Sequence, residues 1–168
     1  MLRPLSLEDR DGLYAAASDP LIWEQHPAKT RYERPVFDLY FDHLLGTGSA
    51  LVVLDGQSQR IIGTSSYYST PEDPPARSIG FTFLERAFWG GETNFDLKSL
   101  MIDHILAHFD AVWFHIGPDN LRSQRATAKL GALPEPARRL NLGTGAAEYV
   151  CLKLTRAAWE ERKAAPCT

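Results

Sequence analysis

Apolar residues change their period several times along this chain, and each change marks an element. Ser6-Leu7-Glu8-Asp9 has a capping-box pattern, with Asp9 in place of the usual Glu or Gln; it opens a helix carrying Leu13 and Tyr14 that Asp19-Pro20 ends. Before it, Met1-Leu2-Arg3-Pro4-Leu5 reads as a short edge strand, where Pro4 is tolerated. A second helix opens at Pro35 and carries Val36, Leu39, Tyr40, His43 and Leu44 at helical spacing as far as Gly46. The pattern then becomes that of strands. Ala50-Leu51-Val52-Val53-Leu54 meets the Asp55-Gly56 turn signal, and Arg60-Ile61-Ile62-Gly63-Thr64-Ser65-Ser66-Tyr67-Tyr68 reads as its antiparallel partner. Residues 70–76, with three prolines, form a loop, and Ser78-Ile79-Gly80-Phe81-Thr82-Phe83-Leu84 completes a three-strand meander.

Helical periodicity returns over residues 95–109. Leu97, Met101, Ile105 and Phe109 form an i, i+4 stripe that Leu100, Ile102 and Leu106 widen, so this helix is expected to pack on a sheet with little of it exposed. Ala111-Val112-Trp113-Phe114-His115-Ile116 is the next strand, and strand–helix–strand order predicts a parallel crossover. A helix over 120–130 stops at Gly131, a strand near 147–154 closes the pattern, and a frayed helix from Arg156 holds Trp159. The sum is an α+β single domain: a mixed central sheet, made of an antiparallel meander and a βαβ unit, flanked by helices. It is expected to span residues 1–160, with 161–168 as a tail.

Composition narrows the classes of function. A chain of 168 residues suits one domain, and 44% hydrophobic with 23% charged residues is ordinary for a globular protein. The net charge of -3 lacks the basic footprint of a nucleic-acid binder. No apolar run approaches the roughly 20 residues that span a bilayer, so no membrane partner is expected. The N-terminal residues lack a signal peptide's apolar region, and the two cysteines offer neither metal spacing nor a disulfide framework. Cys151 reads as a buried small hydrophobe and Cys167 as part of a mobile end. A reducing, cytoplasmic setting without a metal is the expectation.

Chemistry concentrates at Phe88-Trp89-Gly90-Gly91-Glu92-Thr93-Asn94, which joins a strand to the most regular helix of the chain. A glycine turn at a helix N-terminus gathers backbone N–H groups and the positive end of the helix dipole, and so suits a phosphate or pyrophosphate. Glu92 puts a carboxylate in the same place.

The order of elements, with these residues at the helix entrances, resembles the GCN5-related N-acetyltransferase superfamily, and within it the branch of ribosomal-protein N-acetyltransferases. Four places carry the resemblance: Ile61-Ile62-Gly63-Thr64-Ser65; Ile79 to Leu84 running into Trp89-Gly90-Gly91-Glu92-Thr93-Asn94-Phe95-Asp96-Leu97-Lys98; Asn120-Leu121-Arg122-Ser123-Gln124-Arg125 leading to Lys129-Leu130-Gly131-Ala132; and the closing strand followed by Trp159. It implies acetyl-CoA as co-substrate and direct attack by a primary amine, namely a small amine, an amino acid or a protein N-terminus. It further implies pyrophosphate held by Trp89, Gly90, Gly91, Glu92, Thr93 and Asn94, pantetheine along Phe83 and Leu84 and beside Asn120, and CoA phosphates near Arg122 and Arg125. Ser123 matches a serine placed to protonate the departing thiolate, and Glu135 falls where the ribosomal enzymes carry a general base. A homodimer is ordinary for the family.

Each of these residues also has a plain reading. Asn120 is a good helix N-cap, Ser123 a solvated first-turn serine, Glu135 a loop carboxylate between Pro134 and Pro136, His115 a core histidine, and Lys98 a charge on the helix face. Trp23, Glu24, Gln25 and His26 lie where the family builds its acceptor wall, or are an interhelical loop with one anchoring aromatic. The chain departs from the family at Thr127, where many members have a catalytic tyrosine; at Gly117, where the subgroup often has an acid; and at Glu92, where the subgroup has glycine. Glycine there would serve a positive φ or a close approach to phosphate, and a carboxylate would repel it unless it points outward or pairs with Lys98 or Arg86. The departures motivate a second reading, a non-catalytic binding protein on the same fold with weakened CoA affinity.

Overall fold

The computed structural model describes residues 1–70, 77–142 and 145–164. Among them are seven strands: β1 Leu2–Pro4, β2 Ala50–Leu54, β3 Ile61–Tyr68, β4 Arg77–Leu84, β5 Ala111–Ile116, β6 Leu133–Asn141 and β7 Ala146–Thr155. Five α-helices accompany them: α1 Arg10–Ala17, α2 Arg34–Thr47, α3 Thr93–Leu106, α4 Leu121–Ala128 and α5 Arg156–Ala164. The strands are hydrogen-bonded in the order β1-β2-β3-β4-β5-β7-β6, with parallel and antiparallel pairs, which is the α+β mixed sheet expected. The chain clusters into two compact units, Met1–Tyr68 with Ile79–Leu100, and Ser69–Ser78 with Met101–Thr168.

In the first unit, β2 pairs antiparallel with β1 through Leu2↔Val53 and with β3 through Val52↔Thr64. The Ser6–Asp9 capping box forms, with Ser6 N–H donating to Asp9 Oδ2 at 2.8 Å, and Asp9 also receives both arms of Arg3. That guanidinium holds the buried carboxyl of Asp9 below the usual carboxylate range. The box starts a 3-10 turn, and α1 proper begins one residue later, at Arg10. The sequence places the end of α2 at Gly46, but the helix runs on to Thr47, and Gly48 at φ +63° supplies the left-handed cap. Leu13, Ile22, Trp23, Phe37, Phe41 and Leu44 bury a core against Phe83 of β4.

In the second unit, Arg77 and Ser78 of β4 pair parallel with Val112 and Trp113, as strand–helix–strand order predicts. The antiparallel β5–β7 ladder runs from Ala111↔Thr155 to Ile116↔Val150. β6 corrects the sequence reading, in which Glu135 sits in a loop: residues 133–141 form a strand on β7, and Glu135 lies opposite Cys151. Two prolines disguise it. They are tolerated because β6 is an edge strand, and its register shifts between Glu135 and Arg138. Cys151 is buried and Trp159 is fully enclosed, its indole N–H donating to Asp103 at 2.7 Å. The expected proline loop, apart from Thr70, and Cys167 lie outside the described residues.

Candidate functional site

β4 is the last strand of the first unit, so over residues 79–84 one of its backbone edges faces β3 while the other is the edge of that unit. The β3 side is closely fitted: a Cβ on Gly63 would stand 2.1 Å from the Phe83 carbonyl oxygen, so only glycine allows this approach. Gly80 is fitted against a side chain, since a Cβ there would meet the Tyr68 ring at 2.7 Å. Between Gly80 and Thr82 the strand breaks its own geometry. Phe81 has φ +52°, a left-handed conformation that costs a phenylalanine about 1–2 kcal/mol. Such a residue turns its peptide groups out of the ladder, as a bulge does.

The chain then passes through a short 3-10 turn, Arg86–Phe88, into the glycine loop. The Trp89 indole N–H donates to the Leu84 carbonyl at 2.8 Å and fastens the loop to the strand end. Gly90 makes the turn by its backbone alone: its φ is +75°, and a Cβ added there would meet nothing within 4 Å. Asp96 N–H makes the first bond of the α3 ladder, to the Glu92 carbonyl at 2.8 Å, so the amides of Thr93 and Asn94 stand ahead of it at the helix end. Gly90, Gly91 and Glu92 are exposed. Glu92 does not have positive φ, so no left-handed conformation requires glycine at that position. Arg86 pairs with Asp19 and Lys98 reaches Thr82, so both partners considered for Glu92 are engaged elsewhere.

Lys98 is the clearest correction to the sequence reading. It is not a charge on a solvated face: it is 7% exposed, and its ammonium donates to Thr82 Oγ1 at 2.7 Å. Thr82 Oγ1 in turn lies 2.7 Å from Ser65 Oγ on β3. Burial lowers the Lys98 pKa from 10.5 to about 7.

The segment between α1 and α2 forms an aromatic wall over the same strand. Trp23 is the buried anchor, with its indole N–H on the Ala17 carbonyl at 2.8 Å and its ring 5.1 Å from Phe83. Arg31, 7% exposed, lies over Tyr40 at 4.0 Å and Trp23 at 5.6 Å, with Nη1 at 3.2 Å from His26 Nε2. Tyr40 donates its hydroxyl to the Phe81 carbonyl at 2.9 Å, and burial pushes its pKa up to about 12. The sequence pattern places Tyr40 on the apolar face of α2, but the contact of its hydroxyl with Phe81, the place of Arg31 and the conformation of Phe81 are not written in it. The one available hint was an arginine and a tyrosine among the apolar positions around α2.

The remaining expected residues belong to the second unit. Asn120 caps α4, its Oδ1 accepting from Ser123 N–H at 3.1 Å, which is the plain reading of this residue. Ser123 is half-buried in the first turn and Arg125 is exposed in the last. Thr127 is buried. His115 stacks on Trp113 with rings 6.2 Å apart and 5° from parallel, and Arg138 lies over the same indole at 4.6 Å. Phe83, Leu84, Trp89, Gly90, Gly91, Glu92, Thr93 and Asn94 are thus gathered in the first unit, and Asn120, Ser123, Arg125 and Glu135 in the second. Among the described residues no group of three or more His, Cys, Asp or Glu could hold a metal. No helix among them is long and apolar enough to cross a membrane.

Comparison with known proteins agrees with this geometry. Residues 1–133 match the profile of the acetyltransferase (GNAT) domain. A GCN5-related N-acetyltransferase from Brucella melitensis superposes with a TM-score of 0.79 at 16% identity, over 96% of this chain and 78% of that one. The aminoglycoside acetyltransferase AAC(6')-Ib in complex with coenzyme A gives 0.75 at 20% identity, over 98% and 99%. Mycobacterium smegmatis RimJ in complex with CoA-disulfide gives 0.67 at 15%, over 93% and 81%. No curated protein sequence matches the chain. With its profile match over residues 1–133 and this order of strand, glycine turn and helix, the chain belongs to the GNAT acetyltransferase family.

Proposed function

We propose that the protein transfers an acetyl group from acetyl-CoA to a primary amine, with a small amine, an amino acid or a protein N-terminus as acceptor. The observation that carries this reading is the succession of a strand, β4, broken at Phe81, the Gly90 turn and the open end of α3. The residues fit the co-substrate. The peptide-like pantetheine arm suits the backbone edge at Phe83 and Leu84. The pyrophosphate suits the exposed Gly90–Gly91 turn and the amides of Thr93 and Asn94 ahead of the α3 ladder. CoA-bound relatives on the same fold support the assignment.

In the proposed reaction the neutral amine attacks the thioester carbonyl. The carbonyl oxygen gains charge that a β4 backbone N–H would stabilise. The C–S bond then breaks, the thiolate takes a proton and the amine nitrogen gives one up. Ser123 is the proposed donor to the thiolate and Glu135 the proposed acceptor from the amine. The wall around the acceptor carries the cation Arg31 among aromatics, which favours neutral or carboxylate-bearing amines over polycationic ones. This chemistry fits a cytoplasmic enzyme, alone or as a homodimer.

Glu92 is the observation favouring the second reading, a non-catalytic binding protein. Its exposed carboxylate sits one residue before α3, where it opposes an anion. Thermal denaturation with and without acetyl-CoA separates the two. At a hundredfold excess over Kd, acetyl-CoA should add about 2.7 kcal/mol, and thiol release with a panel of amines should follow. No shift at millimolar acetyl-CoA would sink the enzyme reading. Binding gained only in Glu92→Gly would establish the second one.

A further inference from the structure

The left-handed residue in β4 is held by side chains on both of its peptide groups. Phe81 contributes the carbonyl that follows it, which Tyr40 of α2 takes at 2.9 Å. Gly80 contributes the carbonyl that precedes it, and Thr82 Oγ1 lies 3.3 Å from that oxygen. A hydroxyl has one hydrogen to give and two lone pairs to fill. Lys98 donates to Thr82 Oγ1 at 2.7 Å, and Ser65 Oγ lies at the same distance. With the Thr82 hydrogen given to the Gly80 carbonyl, Lys98 and Ser65 both donate to Thr82 Oγ1 and fill its two lone pairs.

Strand alternation separates the two devices. Phe83 belongs to the core beneath α1 and α2, so Thr82 faces the opposite side of the sheet, from which Lys98 reaches up. Tyr40 is buried as a neutral donor with a pKa of about 12, so its grip does not vary across physiological pH. An ammonium is a strong donor and a costly group to bury. For filling space alone, methionine would serve better than a buried lysine, and the hydrogen bond to Thr82 is a contact that methionine could not make.

We propose that Tyr40 and Lys98, the latter acting through Thr82, are positioning residues that fix the left-handed backbone at Phe81 and thereby the edge of β4 on which the acyl group is presented. This rests on the acetyl-CoA reading of that edge. Neither residue touches the reacting atoms; they determine where the β4 peptide groups point.

The test uses Tyr40→Phe, Thr82→Val, Thr82→Ser and the double variant Thr82→Val/Lys98→Met. Backbone chemical shifts of residues 80–82 report the left-handed conformation without any ligand. Steady-state kinetics and CoA titration report the reaction and cofactor affinity separately. Tyr40→Phe and Thr82→Val should each move those shifts toward extended-strand values and lower kcat at least tenfold, with the Kd for CoA changing less than threefold. Thr82→Ser should restore both, and the double variant should be no worse than Thr82→Val. Unmoved shifts overturn the proposal, and so do moved shifts with unchanged kcat. If the parent protein binds no acetyl-CoA, the acetyltransferase reading fails, and the hold on Phe81 is then judged on the shifts alone.

Discussion

Two helix entrances in this protein both read as candidate site motifs in sequence and differ in structure. α4 begins at Asn120, whose side chain turns back to accept the Ser123 N–H at 3.1 Å. α3 begins after Gly90 and Gly91, and its ladder starts at the fourth residue as that of α4 does, with Asp96 N–H on the Glu92 carbonyl. An entrance that supplies its own acceptor has less to offer an anion. One built on an exposed glycine turn leaves its amides and dipole available. The difference separates a helix end serving the fold from one suited to a ligand, although both were legible as candidate site motifs.

The two entrances should respond oppositely to substitution, and the largest effect belongs to the charge buried behind the open one. Lys98 has its pKa lowered from 10.5 to about 7, so the unfolded chain holds more protons than the folded one between those values. Stability should therefore rise with pH across that window and be least below pH 7. Lys98→Met should flatten the rise and stabilise the protein at pH 6 by on the order of 2 kcal/mol. Urea denaturation at pH 6, 8 and 10 measures it, and an unchanged slope would show that another group is responsible.

Gly90→Val should cost about 2 kcal/mol, since a β-branched residue must take φ +75° although the space around it is open. It should also weaken CoA binding at least tenfold. Stability lost without any change in affinity would mean that the α3 entrance is as purely structural as that of α4. Asn120→Ala should cost about 1 kcal/mol, with Asn120→Asp close to neutral. Its effect on CoA affinity should be small if the cap is the main role of that side chain. A tenfold loss of affinity at unchanged stability would instead make Asn120 a ligand residue.

Much of the fold was legible because it depends on local periodicity. The β2–β3 hairpin with its Asp55-Gly56 signal, the amphipathic α3 and the parallel step from β4 to β5 are all written in spacing that the chain must satisfy wherever it folds. β6 was not legible. Leu133-Pro134-Glu135-Pro136 lacks strand character, and only the free edge of β7 allows it to pair. The end of α2 was misplaced by two residues for a similar reason: either Gly46 or Gly48 fits as a cap, and backbone conformation selects between them.

Around the candidate site the same boundary holds. The sequence alone determined the glycine turn, the helix that follows it, Asn120 as one candidate cap for α4 and the anomaly of Glu92, because each depends on neighbours in the chain. Tertiary structure decided the left-handed Phe81, the grip of Tyr40 on its carbonyl and the burial of Lys98 against Thr82. Those contacts join residues 41 and 16 positions apart. A charged lysine in an amphipathic helix looks solvated until the strand beneath it provides a hydroxyl, and no periodicity along the chain encodes which residue that strand will present.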